Sequence, residues 1–397
     1  MKEMCSFTQN KKGWIMLPNG WKKVKLGDVV KMSSGGTPSK DNASFWNGDI
    51  PWISALEMHK NFVEDAKLNI TEEALKKGSS LAKKNDLLLL TRGSMLWKRI
   101  PVCLCLRDVA FNQDVKCLHT DNKLNSTFLL YWFGCMESKI MHMVVGTGIG
   151  AGKLESSGIL DLDVNLPPLE EQKKIAATLS VWDSAIEKME KLIEFKESQK
   201  KSLIKKLIEK QEEKANKIKV GNVTIDKNKW KHERIGNVLK IGHGRDYKGL
   251  SLGKVPVFGS GGYMTSVDKF LHDGETVCIG RKGTIDKPFY YKGKIWTVDT
   301  LFYTYDFKNV IPKFIYYVFC SIPWKIKNEA GGVPSLTSKI VENVEFYSPS
   351  LPEQQIIVDV LSDADDELSL LKQQLENYKK QKQGLMQKLL IGQWRVK

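Results

Sequence analysis

No apolar run in this chain of 397 residues comes near the roughly 20 residues a bilayer-spanning helix needs. Stretches such as residues 87–90 and 128–133 are only four and six residues long, so no transmembrane segment is expected. The first 19 residues hold lysines but neither an apolar core nor a small-residue cleavage site, which disfavours a secretory leader. Cysteine is sparse: seven, at positions 5, 103, 105, 117, 135, 278 and 320, with no Cys-x-x-Cys pair. That odd, scattered set argues against a disulfide framework and a structural zinc and suits a reducing cytoplasm. The six histidines, at 59, 119, 142, 232, 243 and 272, show no metal-ligand spacing, so no metal site is expected.

Catalytic signatures are missing as well. The glycine run Gly146-Thr-Gly-Ile-Gly-Ala-Gly-Lys153 lacks the first P-loop glycine and has Leu154 where Ser or Thr should follow the lysine. No strand-helix-strand unit surrounds its formal dinucleotide fingerprint, and it reads as a glycine turn ahead of a helix. The only Pro-Pro, Pro167-Pro168, is flanked by leucines, so the Asn/Asp-Pro-Pro-aromatic clamp of an amino-group methyltransferase is absent. Nuclease-like Glu-x-Lys pairs, Glu194 with Lys196 and Glu212 with Lys214, fall in a charged helical stretch where residues two apart face different ways. No catalytic residue is assigned.

What the chain does have is positive charge and a repeat. Lys+Arg total 61 against 46 Asp+Glu, a net charge of +15, and 42% of residues are hydrophobic, enough for substantial cores. The segment beginning at Pro167 aligns without gaps to the one beginning at Pro349, at an offset of 182, with 15 of 45 positions identical. The identities include Leu169/Leu351, Glu171-Gln172/Glu353-Gln354, Ile175/Ile357 and Leu179/Leu361. A looser echo precedes each copy: Trp21-Lys22 and Trp230-Lys231, the Gly48–Pro51 and Gly253–Pro256 stretches, and the basic turns at Arg92 and Arg281.

The order is therefore globule, helix, globule, helix, with boundaries at 1–20 for an N-terminal extension, 21–166, 167–217, 218–349 and 350–397. Strand-like stretches at 86–91, 276–280 and 294–305 alternate with helix-like ones at 126–145 and 312–320, so the globules read as α+β. In the first helical copy the apolar positions are Ile175, Leu179, Trp182, Ile186, Ile193, Leu203 and Leu207. In the second they are Ile357, Leu361, Leu368, Leu371, Leu375, Leu385 and Leu389. Steps of four and three over such lengths predict a coiled-coil seam, with Lys196, Lys200 and Lys382 as polar interruptions and each helix's own repeat as partner.

The charge follows this division. Residues 1–166 carry +5, 167–217 +2, 218–349 +8 and 350–397 zero. The surplus lies on the globules, as expected if they meet a polyanion while the helices meet protein. Candidate DNA contacts are the basic and aromatic residues in glycine-rich, loop-like positions: Ser39, Lys40, Arg92, Lys98 and Arg99, then Arg245, Tyr247, Lys248, Arg281 and Lys282. Arginine can read guanine bidentately, while Lys and Ser anchor phosphates. Trp46 and Trp52 read as core.

A duplicated Pro-Leu-x-Glu-Gln helix start behind a globule, with Leu17–Trp21 and Ile50–Ile53 ahead, resembles the specificity subunit of type I restriction-modification systems. One departure is Ser350-Leu351-Pro352 where the pattern has Pro-Pro-Leu. The resemblance implies two target recognition domains, at 21–166 and 218–349, separated by two long helices forming an antiparallel coiled coil with an internal pseudo-two-fold. Each domain would read one half of a bipartite site in double-stranded DNA, and the helices would act as a spacer. The 43 residues from 166 to 208 would span roughly 65 Å as continuous helix. It further implies a non-catalytic, cytoplasmic chain that binds no cofactor itself. Two methyltransferase subunits would supply S-adenosylmethionine chemistry on a flipped adenine, and restriction subunits would use ATP and magnesium. A protein-only coiled-coil adaptor, or an enzyme active in this chain, are the alternative readings of the residues.

Overall fold

A computed structural model describes residues 7–10, 13–148, 150–210, 216–328 and 330–396, with side chains from residue 17 onward. Cys5, Glu212 and Lys214 lie outside the described residues. The chain forms two compact bodies: Met1–Lys188 with Leu375–Lys397, and Met189–Gln374. Four helices organise them: α1 (Ser126–Met141), α2 (Leu169–Ile208), α3 (Pro312–Ser321) and α4 (Leu351–Leu390). Each body thus takes one half of α2 and one half of α4. Among the described residues no helix is long and apolar enough to cross a membrane.

The first body is built on a five-stranded sheet of β1 (Val30–Ser34), β2 (Phe62–Val63), β3 (Leu87–Leu90), β4 (Val102–Cys105) and β5 (Val115–Thr120), in the order β1-β5-β3-β4-β2. All four leucines of β3 are fully buried, because the sheet is covered on both faces. Helix α1 starts where the Asn125 side chain accepts a hydrogen bond from the Phe128 amide, and it buries residues 128–133. A smaller four-stranded sheet contains Trp46–Ile53 and carries its own cluster of Phe45, Trp52, Ile70 and Ala74. Trp52 is core, as its sequence context suggests, whereas Trp46 is half-buried at its edge, ring to ring with Trp52 at 5.6 Å.

The second body has a six-stranded sheet of β6 (Lys240–His243), β7 (Leu252–Gly259), β8 (Gly262–Val267), β9 (His272–Gly280), β10 (Phe289–Thr297) and β11 (Leu301–Tyr305), in the order β6-β11-β9-β10-β7-β8. The stretch 294–305, one strand by composition, is two: the Leu301 amide turns back to the Val298 carbonyl. Helix α3 begins with Pro312, whose fixed φ suits a first helical position. The fold of both bodies is α+β.

The long helices begin alike. Glu170 and Glu171 occupy the first turn of α2 and Lys205 and Lys206 its last, signs that complement the helix dipole. At the start of α4, the Ser350 amide and hydroxyl both donate to Glu353, at 3.1 and 2.8 Å, one arm of a capping box. Two residues past the end of α4, Gly392 takes a φ of 75° that turns the chain away, and its α-carbon packs so near Pro18 that a Cβ would sit 2.7 Å from that ring.

Candidate nucleic-acid interface

The seam residues divide by position. In the first body, Ile175 and Leu179 from α2 and Leu389 from α4 are buried in the same core as the globule, with Leu385 packed against it. In the second body, Leu207, Ile357 and Leu361 do the same, with Leu203 against that core. The helix ends are therefore built into the globules. Nearer their middles, Trp182 meets Tyr378 edge to face at 5.9 Å, Ile193 and Leu368 are buried, and Ile186, Leu371 and Leu375 are half-buried. The start of α2 shares a core with the end of α4, and the end of α2 with the start of α4, so the pair runs antiparallel.

The lysines that interrupt the pattern are cross-helix ion pairs. Lys382 of α4 contacts Asp183 of α2 in the first body, and Lys200 of α2 contacts Asp365 of α4 in the second. All four residues belong to the 182-residue repeat, so one interaction is made twice with the helices exchanged. Each aspartate also accepts a globule tyrosine, Tyr131 or Tyr317, at 2.7 Å in both cases. Burial holds both phenols protonated by pushing their pKa up. Lys196 pairs with Glu367 at 2.6 Å and Lys372 with Glu197 at 2.6 Å.

Gln172 and Gln354 dock the globules on the helices. Gln172 accepts from the Asn125 amide at 2.8 Å and donates to the carbonyls of Lys123 and Pro167, both at 2.9 Å. Gln354 accepts from the Ile311 amide at 2.8 Å and donates to Asn309 and Pro349. A fully buried amide whose bonds are all local to one junction fixes its geometry.

On this frame each body presents a basic turn pinned by a glycine loop. Strand β3 runs on into Thr91, whose hydroxyl and amide bond the Asp114 carbonyl, and then into Arg92-Gly93. Arg92-Gly93 pairs with Gly152-Lys153, and the Leu154 amide bonds the Thr91 carbonyl. A Cβ on Gly152 would fall 2.6 Å from Val144, so the close pairing requires glycine there. The glycine run is thus a flap over the basic turn. Trp97, half-exposed, closes it with an indole bond to the Gly150 carbonyl at 3.0 Å.

The second body repeats the device. The Arg281 amide bonds the Thr300 carbonyl, Lys282 bridges to Ser335, the Gly283 amide bonds the Pro334 carbonyl and the Leu336 amide bonds that of Arg281. Asn328 shapes this flap by accepting the amides of Ala330 and Ser335.

The structure brings the second set of candidate contacts together. The Arg245 amide bonds Thr297, and the Arg281 guanidinium donates to the Asp299 carbonyl at 3.2 Å. Tyr247 and Lys248 line a groove of about 730 Å³ with Gly259–Met264 and Val298–Thr300. Lys282 is exposed. In the first body, Arg92 and Lys98 are exposed. Ser39 and Lys40 are exposed on a loop held by Trp46, whose indole donates to the Ser39 carbonyl at 3.1 Å. That loop reaches the turn that holds Arg92, through Thr37 bonded to Gln113 at 2.6 Å. Arg99 differs: its guanidinium is half-buried against the carbonyls of Met58 and His59 and has a structural task. Composition does not reveal the exposed Tyr263 and Met264 beside the groove. Their signal is a hairpin tip rich in glycine, which becomes specific only once β7 and β8 pair.

A family model described as the type I restriction modification DNA specificity domain matches residues 18–197 and again 203–379. The EcoR124I/EcoR124II type I restriction enzyme specificity subunit of Escherichia coli is 31% identical over 166 residues, 41% of each chain. The MjaVIII specificity subunit of Methanocaldococcus jannaschii is 23% identical over 422 aligned positions, covering 96% of this chain and 95% of its own. In fold, the chain is similar to a type I restriction-modification S subunit from M. genitalium, with TM-score 0.60 and 19% identity over 95% of this chain and 98% of that one. A structure from work on complex assembly and conformational transition of the type I R-M system matches equally, at TM-score 0.60 and 16% identity, covering 95% of this chain and 99% of its own.

Proposed function

Because this chain belongs to the type I restriction modification DNA specificity domain family, we propose that it is the sequence-reading subunit of such a system. One target recognition domain, at residues 21–166, and another, at 218–349, each read half of a bipartite site in duplex DNA. The observation that carries this is the basic turn under a glycine flap, made at corresponding places in both globules from unlike sequences. Arg92 and Arg281, held by their backbones, present guanidinium groups suited to base edges, and Lys98, Lys248 and Lys282 suit phosphates.

The chemistry belongs to partners. Two methyltransferase subunits dock on the helices and bring S-adenosylmethionine, and restriction subunits add ATP- and magnesium-dependent cleavage. The chain itself is non-catalytic, binds none of those cofactors and works in the cytoplasm. Helices of 40 residues each, about 60 Å long at 1.5 Å per residue, set the gap between the half-sites.

The test is to assemble the complex with Arg92→Ala or Arg281→Ala and map methylated adenines in duplex libraries. Each change is expected to relax base preference in one half-site only, by about 1–3 kcal/mol at the affected position. Unaltered preference in both variants would overturn the assignment of these turns.

A further inference from the structure

The first sheet carries a cluster that DNA reading does not use. Cys117 and His119 are two apart on β5 and so share a face. On that face Cys117 stands opposite Ser33 of β1 and Leu88 of β3, which brings Asp86, two residues before Leu88, opposite His119. His119 Nδ1 lies 2.8 Å from Asp86 Oδ2 and 3.8 Å from Cys117 Sγ, and one ligand atom from each residue falls within 4.8 Å of the other two.

We propose that Asp86, Cys117 and His119 form a binding site for one zinc(II)-class transition-metal ion. In a tetrahedral zinc site, bonds of about 2.0–2.3 Å place neighbouring ligand atoms about 3.3–3.6 Å apart. The observed separations of 2.8 and 3.8 Å bracket that edge, so small side-chain adjustments seat the ion. The imidazole is already aimed: its other nitrogen, Nε2, is 2.9 Å from Ser33 Oγ, which leaves Nδ1 turned into the cluster. Support of a ligating histidine through its far nitrogen is what metal sites use to fix ring orientation.

Thiolate and imidazole exclude the hard cations magnesium and calcium and favour zinc or cobalt. On binding, the Cys117 thiol proton leaves to solvent. Cys117 is fully buried, while the His119 side chain is 35% exposed and that of Asp86 13%, so the ion enters over His119 and keeps a water on that side.

Among the described residues, the second sheet has no such site. By register with Lys240 of β6, Tyr303 and Tyr305 of β11 stand where Cys117 and His119 do, with Gly242 and Thr276 in place of Ser33 and Asp86. The expected stoichiometry is therefore one ion per chain. Bound there, the ion ties β5 to the turn that leads into β3, the strand that runs on toward Arg92.

The test is to titrate cobalt(II) into the reduced, full-length chain and follow absorption. One equivalent should give visible tetrahedral bands and a near-ultraviolet thiolate charge-transfer band, both removed by added zinc. Cys117→Ser should abolish the charge-transfer band, and Cys278→Ser, at a buried thiol of the second sheet, should retain it. Asp86→Asn should weaken cobalt binding at least tenfold, which keeps the test valid even where Cys117→Ser fails to fold. Absence of the band in the parent chain, its survival in Cys117→Ser, or affinity unaltered by Asp86→Asn would overturn the proposal.

Discussion

The two bodies agree at their helix junctions and disagree on their sheets. Tyr131, Asp183 and Lys382 in one body repeat as Tyr317, Asp365 and Lys200 in the other, and Gln172 repeats as Gln354. The sheets have five and six strands, and the same face carries Cys117 and His119 in one and Tyr303 and Tyr305 in the other. Even the junction differs at one point. Trp21 donates its indole to Glu171 at 3.1 Å, whereas the equivalent Trp230 Nε1 is buried without a partner among the described residues. There Glu353 turns to Ser350, and Lys227 lies over the Trp230 ring, its amine donating to the carbonyls of Lys206 in α2 and of Glu209 just past its end. A frame held by buried hydrogen bonds leaves the sheets and their loops free to diverge, and divergent loops are what a reader of two unlike half-sites requires.

The largest effect expected on this comparison comes from the glutamines. Gln172→Leu and Gln354→Leu each strand one amide and two carbonyls, and each should cost about 3 kcal/mol or more. Hydrogen exchange should place the loss in the body that carries the change; a loss spread over both would break the comparison. Next come the aspartates. Asp183→Asn and Asp365→Asn each leave a partly buried lysine without its counter-charge, at about 1–2 kcal/mol. Pairing Asp183→Asn with Lys382→Met, or Asp365→Asn with Lys200→Met, should recover part of that in a denaturant-based double-mutant cycle.

The last effect is in pH dependence: both bodies gain stability as pH rises, and the range in which they do so separates them. The Arg395 guanidinium, bonded to Glu171 at 2.6 and 2.9 Å, holds that carboxyl below its ordinary range. The stabilisation is full above the unfolded value of about 4.5 and is lost as pH falls through the lower folded value. In the second body, burial pulls the Lys227 amine down to about 8 from 10.5. The unfolded chain then binds the extra proton between those values, so this body should gain stability as pH rises from 8 toward 10.5. Melts of Arg395→Ala and Lys227→Met across these ranges should flatten the acid and the alkaline slope respectively.

Much of this architecture is legible in the residues. A repeat of 45 positions with apolar steps of four and three already implies two long helices and their mutual packing. Asp183, Lys200, Asp365 and Lys382 stand in that alignment too, but their pairing needs the antiparallel direction, which no single helix states. The flap at residues 146–153 shows the other limit. Its glycines suggest a turn, yet the pairing of Gly152-Lys153 with Arg92-Gly93 joins distant parts of the sequence and depends on strand order. Likewise, Cys-x-His at 117 and 119 marks one face of a strand, but Asp86 joins it only through the neighbouring strand's register. Loop chemistry at the candidate interface is visible as composition; its convergence in the groove beside Val298–Thr300 comes from tertiary packing.

The most direct measurement is a domain exchange. Residues 230–348 are replaced by the corresponding stretch of another such subunit, and the methylated sequence is mapped with the partner methyltransferase. The account predicts that one half of the recognised sequence changes while the other half and the gap between them persist. A change in both halves, or in neither, would contradict it.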